Sequence, residues 1–335
     1  MHFKGRSLYN LLQVSAKEDS SIKAEPWQLL DYRSLSEEVL FKKLFELGIG
    51  LSRENFLLYA ENCDTPEELL ECLWLKESDQ EGEERAYLLI FELWRRLFPS
   101  KQSLSIFFDD LDRIISQFDE GAMVDEEVVQ EMLSGLEDIL DQSIDQGAKP
   151  EEIFKSVLEY AAHDVEEFLY DYISELLEEG SDIAASKLID AFEDYVSDAK
   201  WFDFLRARLF SLTDADLEDS SSLLHGILEE QEENPDLIFL NEICGFLVHR
   251  GDVSLFFECV MLIIEQIRTE GDLQDLLALV SEFYHCLDKE KSENRVLKFI
   301  KSRESKDLTS LIHPQDIDSV MKLISDERPP SLEDF

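Results

Sequence analysis

The stretch DVEEFLYDYISELLEEGSDIAASKLIDAFEDYV, residues 164–196, decides how the chain is read. Leu169, Tyr172, Ile173 and Leu176 recur at three- and four-residue intervals, the spacing that lines one face of a helix. Glu166, Glu167, Asp171, Glu175 and Glu178 lie off that stripe. Gly180 interrupts the pattern, and a second stripe through Ile189 and Phe192 follows. The stretch therefore predicts two helices joined by a turn, each with a core face and a wet, acidic face. Catalytic carboxylates need unlike environments, with one pKa raised by burial. Acids spread along a polar face do not supply that.

The stripes repeat further along the chain. Ile189, Leu224, Val260 and Val296 are 35, 36 and 36 residues apart, and Phe192, Ile227, Ile263 and Phe299 keep the same intervals. On the preceding helices, Leu169, Tyr172, Ile173 and Leu176 align with Leu240, Ile243, Cys244 and Leu247, then with Leu276, Leu279, Val280 and Phe283. A degenerate earlier unit runs through Leu133, Leu136 and Leu140 and then Ile153 and Val157. Two faces holding one spacing predict antiparallel helix pairs stacked as a solenoid, each pair burying its face against the next.

At these residues the pattern resembles the tetratricopeptide repeat family, whose unit is about 34 residues long. Gly180 and the Gly251–Asp252 pair stand where that family turns, Ala185 stands at its small site, and ENPD (233–236) resembles its break between units. The resemblance covers roughly residues 166–308. It departs from the family at Phe256, which fills a small site, and at the glycine-free turn SLTDADLEDSS. It implies a concave surface formed by the first helices. Carried over, the lining is Glu167, Tyr170, Ser174 and Glu178 from one unit, then Lys200, Asp203 and Phe210, then Ile238, Asn241, Val248 and His249. This mixture of acids and aromatics suits a basic, partly apolar segment. The family's Lys/Asn/Arg clamp for a terminal carboxylate is not reproduced.

Elsewhere the helical rhythm persists and no alternating strand is visible, so the fold class is all-α. In DTPEELLECLW, Thr65 is placed to cap, Pro66 to start the helix and Glu68 to close a capping box. In SLSEEVLFKKLFELG, Ser34 and Glu37 repeat that logic and Gly48 ends the helix; Pro150 opens another. The chain is divided into a mobile start (1–25), a smaller helical region (26–108), an acidic helical-repeat region (109–308) and a C-terminal helix with acidic tail (309–335). KESDQEGEE (76–84) reads as a polar loop, FPSKQS (98–103) and FDEGAMVDEE (118–127) as joints, and DERPPSLEDF as a tail whose paired prolines stop helix formation.

The 335 residues carry a formal charge of −45. Residues 109–200 hold 28 Asp/Glu against 5 Lys/Arg, about half of that excess, whereas Lys289–Lys306 is locally basic with 7 against 3. Such a charge repels nucleic-acid phosphates and anionic lipid and favours basic proteins or peptides. Five scattered cysteines imply no disulfide framework and read as reduced thiols. The first residues lack an apolar signal-peptide core and no apolar run approaches a membrane span, so the expected location is cytoplasmic.

Motifs for chemistry are sparse. Glu282-x-x-His285 is half of a di-metal pair of such motifs. His163–Asp164 lacks the further upstream histidine that a metal-dependent phosphohydrolase needs, apart from His2. Cys244, His249, Cys259, His285 and Cys286 do not have finger spacing. His249 and His285, 36 apart, fall at equivalent repeat positions and are candidate neighbours. LGIGLS is no phosphate loop, and no G-x-S-x-G elbow occurs. The expectation is a non-enzymatic adaptor or chaperone without cofactor or metal. The alternatives are an acidic nucleic-acid mimic that masks a basic client, and a metal-dependent helical enzyme using Glu282 and His285.

Overall fold

The computed structural model describes residues 4–75, 79–144, 147, 149–212, 217–250 and 252–325. Within them the fold is all-α and the chain divides into two compact units, Met1–Asp171 with Asp194–Ser197, and Tyr172–Glu193 with Asp198–Phe335. The division falls near 171.

The first unit contains α1 (Ser7–Glu18), α2 (Glu37–Glu46), α3 (Arg53–Ala60), α4 (Pro66–Leu73), α5 (Gln80–Leu97), α6 (Leu104–Asp119), α7 (Glu126–Ile144), α8 (Pro150–Val157) and the start of α9 (Val165–Glu178). Helix α5 is its centre: every residue from Ala86 to Trp94 is buried, as expected of a helix enclosed on all sides. Helices α2 and α4 pack against it. Glu92, the charged member of that run, is fully buried and receives Arg95 and Arg96 at 2.5–3.0 Å. Arg96 also donates to the carbonyls of Tyr32, Arg33 and Leu35, so the buried charge is paired as burial requires.

Local signals account for the helix ends. The Thr65 hydroxyl accepts from the Glu68 amide and the Glu68 carboxylate accepts from the Asp64 amide. At α2 the cap is Ser36, accepting from the Val39 amide, rather than Ser34. Gly48 and Gly180 adopt positive φ (93° and 76°), and the amides that follow them, Ile49 and Ser181, reach back to the carbonyls of Leu44 and Leu176.

Three sequence expectations differ from what is observed. The start read as a mobile segment, 1–25, contains α1, packed on α6 and tied there by Asn10, which donates to Asp109 and Asp112. The loop read over 76–84 becomes helix at Gln80, capped by Asp79; residues 76–78 lie outside the described residues. Of SLTDADLEDSS, residues from Leu217 are already helical, and 213–216 lie outside the described residues. So do Gly251 and the expected tail, 326–335.

The second unit takes the rest of α9 and then α10 (Asp182–Phe192), α11 (Ala199–Phe210), α12 (Leu217–Glu233), α13 (Leu237–Arg250), α14 (Val253–Gln266), α15 (Glu270–Cys286), α16 (Glu290–Lys301) and α17 (Pro314–Ser325). Helices α11 and α12, α13 and α14, and α15 and α16 form intimate pairs. Successive pairs meet through α10 on α11, α12 on α14 and α13 on α15. Ile189, Leu224, Val260 and Val296, the residues that set the repeat spacing, are all buried, one on each of α10, α12, α14 and α16. The large Phe256 at a site the resemblance makes small is accommodated by stacking on Phe283 of α15, with ring centroids 3.7 Å apart and planes within 11°. Both rings are fully buried. Across the far end, Arg303 joins Glu270 at the start of α15 to Asp316 of α17, and Lys306 borders both carboxylates. Among the described residues no helix is long and apolar enough to cross a membrane.

Candidate partner-binding groove

In the second unit the ends of α9, α11 and α13, together with α15, surround an open cavity of about 630 Å³. Helices α11, α13 and α15 are the first helices of the three pairs above, and α9 precedes them. Half-buried Phe246 and Leu279 supply apolar wall, with Leu177 and Phe204 buried behind it, and Gly245 on α13 leaves space where a side chain would stand: a Cβ there would find Leu279 only at 4.0 Å. Asn241, Glu242, Glu178 and His249 line it as well.

Two arginines complete the lining. Arg208 lies over the Phe204 ring at 5.8 Å, donates to the Ser174 hydroxyl at 2.8 Å and stands 3.5 Å from the Glu178 carboxylate. Arg250 lies over the Phe246 ring at 5.7 Å and donates to the main-chain carbonyl of Ser211 at 2.7 Å. Each thus sits one helical turn beyond a phenylalanine, on a ring face that favours a cation. Glu178 is at the mouth, with its side chain 76% exposed, whereas that of Arg208 is only 13% exposed.

The residues expected to line a groove are distributed unevenly. Glu178, Asn241 and His249 line this cavity, and Ser174 anchors one of its arginines. Glu167, exposed, and Tyr170, half-buried, belong to the first unit. Ile238 is exposed and Phe210 half-buried, but neither lines the cavity. Two expectations need correction. Val248 is buried and does not border the cavity, so it packs in the core. Lys200 is consumed by Asp198 and Asp236, both at 2.9 Å; burial opposes its charge, but these partners raise its pKa above the usual lysine value. Asp203 is exposed, and partial burial, followed by the charges of Glu230 and Glu193, pushes its carboxyl upward.

Helices α13 and α15 are neighbours, but the histidines on them find separate partners. His249 Nε2 is 3.8 Å from Glu282 and its Nδ1 3.9 Å from the Cys286 sulfur, whereas His285 Nδ1 is 3.2 Å from Glu293. Glu282 and His285 are therefore directed to different groups. Among the described residues no cluster of three or more His, Cys, Asp or Glu is arranged to hold a metal ion. Cys244 is buried, and buried Cys259 donates from its sulfur to the Leu240 carbonyl. His163, in the first unit, is a structural partner of buried Asp112.

Sequence reading missed Phe204, Arg208, Phe246 and Arg250. A signal was present: both pairs have the form Phe-x-x-x-Arg near the end of a first helix. They are 42 residues apart, off the 36-residue period, so a search by repeat position passes over them. Comparisons with protein-family models, curated proteins and solved structures find no match to this chain.

Proposed function

We propose that the protein is a non-enzymatic helical-repeat adaptor or chaperone of the cytosol, holding a basic, partly apolar segment of a partner protein in the cavity of the second unit. The observation that carries this reading is the cavity's position: the first helices of three successive pairs, together with the end of α9, converge on one open, largely apolar space. Convergence of that kind is how helical repeats offer concave surfaces to extended or helical peptides. Resemblance to tetratricopeptide repeats is consistent with it. Exposed acids on the same helices, Glu175, Asp203, Glu242 and Glu282, set the charge that a partner meets on approach. Such charges raise association rate and set specificity more than they raise affinity. The affinity comes from half-buried Phe246 and Leu279, with Leu177 and Phe204 buried behind them.

The test is fluorescence anisotropy with end-capped, labelled peptides that pair basic flanks with a central Leu-Phe. Affinity is expected to fall with salt without vanishing, because the apolar contacts are not screened. Gly245→Leu, which fills the cavity from within α13, is expected to abolish binding while leaving the helical circular dichroism unchanged. Equal binding by Gly245→Leu, or a preference for peptides with acidic flanks, would overturn the proposal.

A further inference from the structure

The cavity's charge is unlike that of the chain around it. Acids outnumber Lys and Arg 76 to 31 over the sequence, yet the cavity is lined by two glutamates and two arginines. The signs are also sorted by depth. Glu178 and Glu242 are exposed, while Arg208 and Arg250 are half-buried against phenylalanine rings.

Arg250 is the informative residue. Among the described residues no carboxylate lies within 4.0 Å of its guanidinium, and its hydrogen bond goes to the neutral carbonyl of Ser211. A guanidinium offers five N–H donors in a rigid fork, so donors remain for another acceptor. In a protein of net charge −45, a half-buried arginine with no carboxylate within 4.0 Å among the described residues is a position at which an incoming anion is compensated. Arg208 has Glu178 at 3.5 Å, a looser contact than a direct hydrogen bond, and its other fixed partner is the neutral Ser174 hydroxyl. Asn241, on the same wall, adds an amide that can donate.

We infer that the occupant of the Arg208–Arg250 cavity presents an acidic side chain, Glu or Asp, next to an apolar one, within a segment whose flanks are basic. This rests on the groove reading above and specifies its ligand. The apolar side chain lies against Phe246 and Leu279. The carboxylate reaches the two arginines, and the basic flanks meet the acidic mouth. Arginine suits this role because its planar fork matches a carboxylate and is weakly hydrated.

The probes are end-capped peptides with Lys flanks and a central Leu-X-Phe, where X is Glu, Asp, Gln or Lys. Capping removes the terminal carboxylate, so that any anion preference belongs to the side chain. Binding of the Glu and Asp peptides is expected to exceed that of the Gln peptide by about tenfold, the value of a charged hydrogen bond in such a site. The preference, read as the ratio of Glu-peptide to Gln-peptide affinity within each variant, is expected to disappear in Arg250→Gln and to shrink in Arg208→Gln. Equal binding of the Glu and Gln peptides, sensitive to Gly245→Leu, would overturn this inference and leave the groove reading standing. Binding of every peptide insensitive to Gly245→Leu, or no binding at all, would overturn both.

Discussion

Replacing Phe256 with alanine probes how successive helix pairs hold together. The ring is fully buried on α14 and stacked at 3.7 Å on Phe283 of α15, so it bridges one pair to the next. Removing a fully buried phenylalanine costs about 3–5 kcal/mol, from lost transfer energy plus the cavity left behind. The stacked geometry contributes about 0.5–1.5 kcal/mol of that as a specific pair term. For a domain of this size each kcal/mol lowers the melting temperature by about 2–4 °C, so the expected fall is roughly 6–20 °C. Trp201 sits 4.7 Å from Phe239 within the second unit and reports on it by fluorescence. Urea unfolding followed by that signal, in a background where Trp27, Trp74 and Trp94 are replaced by phenylalanine, gives the free energy; all three belong to the first unit. A double-mutant cycle with Phe283→Ala isolates the pair. A total cost below about 1 kcal/mol, or no coupling between the two sites, would refute the claim that this stack joins neighbouring pairs.

Three other substitutions have expected outcomes. Arg303→Met strands the buried Glu270 carboxylate and should cost about 3–5 kcal/mol by urea titration. In the unaltered protein burial works against the Glu270 charge, but hydrogen bonds from Arg303 and Gln274 hold its pKa below the ordinary 4.5; those from Arg303 hold Asp316 well below 3.8. Depressed native values stabilise the fold above the ordinary values, and that stability is lost as pH falls through the native ones. Acid unfolding should therefore begin below about pH 4.5 and move to higher pH in Arg303→Met, where Glu270 takes up a proton sooner. Gly226→Ala, at an exposed position inside α12 where a new Cβ meets nothing within 4 Å, should stabilise the protein by about 0.5–1 kcal/mol in the same titration. Thr65→Ala removes the cap of α4 and should cost about 1 kcal/mol, seen as faster amide exchange in its first turn.

Periodic and local features were legible in the sequence; long-range ones were not. Ile189, Leu224, Val260 and Val296 announced paired helices because burial on one face leaves a 3.6-residue trace in any sequence. Thr65 and Pro66 announced a helix start because capping is settled within four residues. By contrast, nothing local marks α1 as anchored, since Arg6 and Asn10 meet Asp109 and Asp112 about a hundred residues away. Val248 looked like groove lining in a borrowed register, but α13 is apolar over most of its circumference, and its sequence does not tell which side faces the cavity. The cavity itself depends on which helix ends converge. Arg208 and Arg250 become a pair only there, and the excess of acids in the sequence drew attention away from them. Phe256 shows the reverse case, an apparent misfit that its neighbour Phe283 makes favourable.

The most direct test of the groove is photo-crosslinking of a capped peptide with basic flanks in which benzoylphenylalanine replaces the central phenylalanine, followed by mass-spectrometric mapping of the adduct. The account predicts adducts on Phe246 or Leu279, lost on competition with the unmodified peptide. Competable adducts on the second helices α10, α12 and α14, or within the first unit, would contradict it.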